Sequence, residues 1–79
     1  MWRDLVANGA SQGARNDSIA RLSGHLLRRY VDPIVTHEFM QLLNGSRFRP
    51  PLEEEEVTKI VASVARKELR RREARDGIR

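Results

Sequence analysis

Arg21, His25, Arg28 and Arg29 recur at spacings of three and four in a stretch with no acid between Asp17 and Asp32. On a helix such spacings bring side chains together on adjacent turns. A face of that kind can track the phosphates of a nucleic-acid backbone; an ordinary solvated helix face is the competing account. Upstream, Arg15 follows Gly9 and Gly13. With the backbone after Gly13 and a helix N-terminus, it would seat a phosphate. The commoner arrangement is that Gly13 and Asn16 turn and cap the chain while Arg15 makes a salt bridge, since helix caps far outnumber anion sites. A third concentration lies at the end, where Arg66, Lys67, Arg70, Arg71, Arg72, Arg75 and Arg79 stand against Glu68, Glu73 and Asp76. That is more positive charge than a helix C-terminus needs to satisfy its dipole. The candidate phosphate contacts are therefore Arg15, Asn16, Arg21, Arg28 and Arg29, with Arg71, Arg72 and Arg75 as secondary ones.

Other chemistry finds little support. His37-Glu38 opens like a zinc-protease helix, but Gln41 stands where the second histidine belongs. His25 has no partner at ligand spacing, so no metal site is expected. The glycines before Arg15 lack the lysine and Ser/Thr of a phosphate-binding P-loop. Two-metal catalysis needs clustered acids, whereas Glu53 to Glu56 sit where the dipole of a helix start favours them. No cofactor and no independent catalytic activity are expected.

The chain has 79 residues, enough for one small domain. Its net charge of +4, from 15 basic and 11 acidic residues, suits a phosphate-bearing partner. Trp2, Tyr30, Phe39 and Phe48 are its four aromatics, fewer than a stacking surface for single strands usually carries. The absence of cysteine fits a reducing, cytoplasmic setting. No apolar run is long enough to span a bilayer, so no membrane partner is expected.

The elements that position these groups are helices. Residues 1–8 can form a short helical turn carrying Trp2, Leu5 and Val6. Asn16 or Asp17 caps a helix from about Asp17 to Tyr30, with Ile19, Leu22, Leu26 and Tyr30 on one stripe. Asp32-Pro33 reads as an N-cap followed by proline in the first turn. The helix it opens turns Val35, Phe39, Leu42 and Leu43 inward and stops at Asn44-Gly45. Pro50-Pro51 enforces an extended connector, anchored by Phe48 and Leu52. The last helix starts near Glu53, with Glu56 in capping-box position and Leu52 facing Val57 as a staple. Its stripe of Val57, Ile60, Val61 and Val64 ends near Ala65. Beyond that the helix would project from the core, held by pairs such as Glu68 with Arg72. The expected fold is all-α: a compact three-helix bundle with a short extra N-terminal helix and a projecting C-terminal helix.

The ordered set Gly13-x-Arg15-Asn16, an apolar helix through Leu26, Phe39 to Asn44, Pro50-Pro51-Leu52 and Glu56-Val57-x-x-Ile60-Val61-x-Ser63-Val64 resembles the primase C-terminal family, PriCT. The resemblance covers about residues 9–66 of a single domain over 1–79, with 67–79 as a basic helical extension. It implies a helical accessory domain beside the catalytic domain of a phage- or plasmid-type DNA primase-polymerase, often followed by a helicase. Such a domain would help hold template DNA or nucleotide for the priming reaction. The alternative is a protein-interaction spacer between primase and helicase that makes no contact with DNA. A helix-turn-helix regulator fits less well, because Pro50-Pro51 makes the second connection too long for that motif.

Overall fold

Asp32 opens the central helix as its sequence implies. Its Oδ1 accepts hydrogen bonds from the N–H groups of Ile34 (2.8 Å) and Val35 (3.2 Å), and Pro33 occupies the first turn. Around this helix the computed structural model describes residues 2–76. It contains α1 (Trp2–Asn8), a 3-10 turn (Gln12–Ala14), α2 (Arg15–Arg28), α3 (Pro33–Arg47) and α4 (Glu54–Asp76), and no strand among the described residues. Arg79, the last of the basic run, lies outside the described residues. The fold is all-α, a three-helix bundle preceded by a short extra helix.

The starts of α2 and α4 meet where the Asn16 amide donates to Glu56 (2.8 Å), and their later turns meet where Arg72 donates to the Leu27 carbonyl. The two helices therefore run in the same direction. Between them in sequence, α3 runs the other way along α4, with His37 bonded to Thr58 (2.8 Å) and Gln41 to the Glu54 carbonyl (3.0 Å). Ile19 and Leu22 from α2, Met40 and Leu43 from α3, Val57 and Val61 from α4, and Leu5, Phe48 and Leu52 form one buried cluster. Phe48 and Leu52 thus anchor the connector as expected, and Leu52 shares the cluster with Val57.

Several local expectations are corrected. Asn16 and Asp17 do not cap α2; the 3-10 turn feeds directly into a helix that begins at Arg15, with Ala14 at the cap position. The Asn16 side chain is occupied by Glu56 instead, so Glu56 reaches across to α2 rather than back into a capping box. At the other end α2 stops before Tyr30, which has φ of +66° and is two-thirds exposed rather than on the buried stripe. The N–H of Tyr30 bonds to the Leu27 carbonyl and that of Val31 to the Leu26 carbonyl. This pair of bonds is a Schellman closure, with tyrosine at the position that glycine usually takes.

Nor does α3 end at Asn44-Gly45; it continues to Arg47. Asn44 is buried and spends its amide on the connector, donating to the Leu52 carbonyl and accepting from the Leu52 N–H, both at 2.8 Å. The buried face of α3 is Thr36, Met40, Leu43 and Asn44. Of the inward set expected from the sequence, only Leu43 is buried; Val35, Phe39 and Leu42 are 41%, 52% and 67% exposed. Contact with both α2 and α4 fixes the rotation of α3, overriding its own apolar pattern.

Glycine's conformational freedom is needed at Gly9, which ends α1 with φ of +76°. A Cβ there would fall 2.1 Å from the Arg47 carbonyl oxygen, while Arg47 in turn donates to the Val6 carbonyl (2.7 Å). Gly13, by contrast, has open space around it.

Candidate nucleic-acid interface

A helix that buries Val57 and Val61 must turn Lys59, Arg66 and Arg70 to the opposite side, with Lys67 on the edge toward α2. All four side chains are exposed, and among the described residues none has a carboxylate within 4.0 Å. From Lys59 to Arg70 the stripe extends about 16 Å at the helical rise of about 1.5 Å per residue. Lys59 and Lys67 also border a groove against Asn16, Asp17 and Ala20 of α2. The result is a set of four cations without ion-pair partners among the described residues, of the kind that exchanges condensed counterions for phosphates.

The eight candidates taken from the sequence are placed differently. Arg15 bridges the 3-10 turn and the proline connector, donating to the carbonyls of Gln12 (3.1 Å) and Pro50 (2.5 Å). Asn16 holds Glu56. Arg21 pairs with Asp17 at 2.9 Å, both about two-thirds exposed. An exposed pair contributes about 0.2–1 kcal/mol, so Arg21 stays available to a phosphate. Arg28 lies across Gly24, its guanidinium where a Cβ would otherwise project, and Arg29 donates to the His25 carbonyl (3.2 Å). His25 itself packs at a tilt against Trp2, with ring centroids 5.1 Å apart. Arg75 pairs with Asp76 (3.2 Å).

Arg71 and Arg72 converge on Glu68. This carboxylate is buried, so the packed face of α4 continues past Ala65 instead of projecting freely. Arg71 grips both of its oxygens, at 3.0 and 2.6 Å, and Arg72 adds a bond at 2.9 Å, the pair expected from the spacing. Arg72 also donates to the Leu27 carbonyl and lies 4.5 Å from the centre of the Tyr30 ring. It thereby ties α4 to the end of α2.

The hydrogen bond from Arg71, joined by that from Arg72 and by both positive charges, outweighs burial and lowers the Glu68 pKa to about 2. The folded value lies below that of an unfolded glutamate, about 4.3. Its contribution to stability is therefore complete above about pH 4.5 and lost as pH falls toward 2. Comparing thermal unfolding of the wild type and Glu68→Gln across this range should show wild type more stable at pH 6 and the gap closing toward pH 2. A gap independent of pH would rule out this ion cluster.

At the same junction Leu27, Tyr30, Val31, Pro33, Ala65 and Leu69 line an open cleft of about 470 Å³. Asp32, Arg66, Glu68 and Arg72 supply its charged groups. The apolar period places Tyr30 on the core stripe, which conceals this cleft in the sequence. Lys59 is legible there, since helical period alone places it opposite Val57 and Val61.

A small helical bundle with a cationic flank does not by itself define any one activity. The model of the Primase C terminal 1 (PriCT-1) family matches residues 3–70, so the chain belongs to that family, a primase-associated C-terminal domain. The match takes in α1 and reaches Arg70, beyond the 9–66 expected from the motifs. No curated protein and no solved structure matches the chain. Among the described residues, no helix is long and apolar enough to cross a membrane.

Proposed function

We propose that this domain assists a neighbouring DNA primase-polymerase catalytic domain, in the cytoplasm of a cell replicating a phage or plasmid genome, by holding nucleic-acid phosphates on the outer face of α4. The observation that carries this reading is the unpaired set Lys59, Arg66, Lys67 and Arg70. Arg21 and Arg28 on the exposed side of α2 extend the field. Of the earlier candidates, Arg15, Asn16, Arg71 and Arg72 serve this function by holding the bundle together, so their substitution acts first on stability. The test compares binding of a labelled single strand by the wild type and by a variant neutral at the four α4 positions. Loss of binding with retained helicity supports the reading; equal binding overturns it.

A second reading is favoured by a different observation. Val35, Phe39 and Leu42 form an exposed apolar face on α3, unusual in so small a domain. Such a face suits docking against an adjoining primase or helicase domain, as an interaction spacer would require. Binding of those domains by a protein without measurable nucleic-acid affinity would favour this second reading over the first.

A further inference from the structure

We propose that the cleft beside Tyr30 receives an unpaired base of the strand whose phosphates lie on α4; the inference rests on the phosphate reading and assigns it a single-stranded substrate. Tyr30 closes α2 in the left-handed region, with φ of +66°. A residue with a Cβ is disfavoured there, and glycine would close the same turn without that cost. The strain places an aromatic ring, two-thirds exposed, at the wall of a cleft. Departures of this kind concentrate at sites with a binding task.

The cleft has the composition a base requires. Leu27, Val31, Pro33, Ala65 and Leu69 give apolar lining, and about 470 Å³ accommodates a nucleoside. Arg72 lies over the tyrosine ring and is itself held by the Glu68 carboxylate, so the ring is positioned in advance. The Asp32 carboxylate oxygen not used in capping α3 stands in the lining as an acceptor for a base N–H, while its charge disfavours a phosphate inside the cleft. Arg66 belongs both to this lining and to the α4 stripe. A strand lying along Lys59, Arg66 and Arg70 therefore passes the cleft, its phosphate held by Arg66 and its base turned in toward Tyr30. Duplex DNA keeps its bases stacked within the helix and cannot make this contact without unpairing.

The test is the affinity of a short oligothymidylate against an abasic strand of equal length, for wild type and for Tyr30→Asn. Asparagine tolerates the left-handed backbone and removes the ring. The wild type should prefer the base-bearing strand by about tenfold, the scale of one base–aromatic stack. Tyr30→Asn should lose that preference while binding the abasic strand as wild type does. Equal wild-type affinity for both strands would overturn the base site and leave the phosphate face standing. Preference retained by Tyr30→Asn would place base contact elsewhere and also overturn it. Binding to neither strand would overturn both readings.

Discussion

Exchanging Lys59, Arg66, Lys67 and Arg70 together for glutamine is expected to weaken binding of a short single strand on the order of 10²- to 10³-fold near 0.1 M salt. Each phosphate contact on a single strand contributes about 0.7 to the slope of log affinity against log salt. Removing four should flatten that slope by about 3. Because the four side chains are exposed and make no ion pair among the described residues, the exchange should leave the bundle intact. Glutamine also keeps a good helix propensity. Fluorescence anisotropy across a salt series, with far-UV circular dichroism as the folding control, reads both effects. The same exchange at Arg71 and Arg72 should behave differently, lowering stability, because it leaves Glu68 buried without its cations. A variant neutral at the α4 face that keeps the wild-type slope would show that the phosphates are held elsewhere.

The second large effect concerns the architecture. Asn44→Ala should destabilise the domain by about 2–4 kcal/mol, because it strands both the N–H and the carbonyl of Leu52 in the interior, each at a cost of about 1–3 kcal/mol. For a domain of this length that corresponds to a fall in melting temperature of about 10–25 °C. Asn44→Asp keeps the acceptor for the Leu52 N–H but sets a buried carboxylate oxygen against the Leu52 carbonyl, so at neutral pH it should destabilise at least as much. The consequence reaches the interface, since the Phe48–Leu52 connector sets where α4 begins and Arg15 is bonded to it through Pro50. Thermal unfolding followed at 222 nm tests this. A loss under about 0.5 kcal/mol, the scale of an ordinary surface change, would mean that the connector does not depend on Asn44.

What the sequence revealed follows from how local each signal is. Asp32-Pro33 was legible because cap and proline act within one turn, and Val57 with Val61 because no competing stripe exists on α4. On α3 two faces compete. Val35, Phe39 and Leu42 are more apolar than Thr36 and Asn44, yet packing against two helices buries the latter. Asn44-Gly45 resembles a helix stop by local preference, but the Asn44 amide is used at long range on Leu52. Nothing in the local sequence marks Tyr30 as left-handed, since tyrosine is not the residue that such a closure favours. At the candidate interface the arginine-rich end was visible as charge, whereas its division of labour was not. Glu68, at spacings of three and four, draws Arg71 and Arg72 inward and leaves Arg66 and Arg70 outward. That division depends on burial of the Glu68 carboxylate, which its charge alone would not suggest.

The central claim is that nucleic acid lies on the outer face of α4, and an NMR titration of the isotope-labelled domain with a short single-stranded DNA tests it most directly. At low salt, amide shifts should concentrate at Lys59, Arg66, Lys67 and Arg70 and at Tyr30 to Asp32, with smaller changes at Arg21 and Arg28. They should fade together as salt is raised. A flat titration, or shifts confined to Val35, Phe39 and Leu42, would contradict the claim and make α3 the working face of the domain.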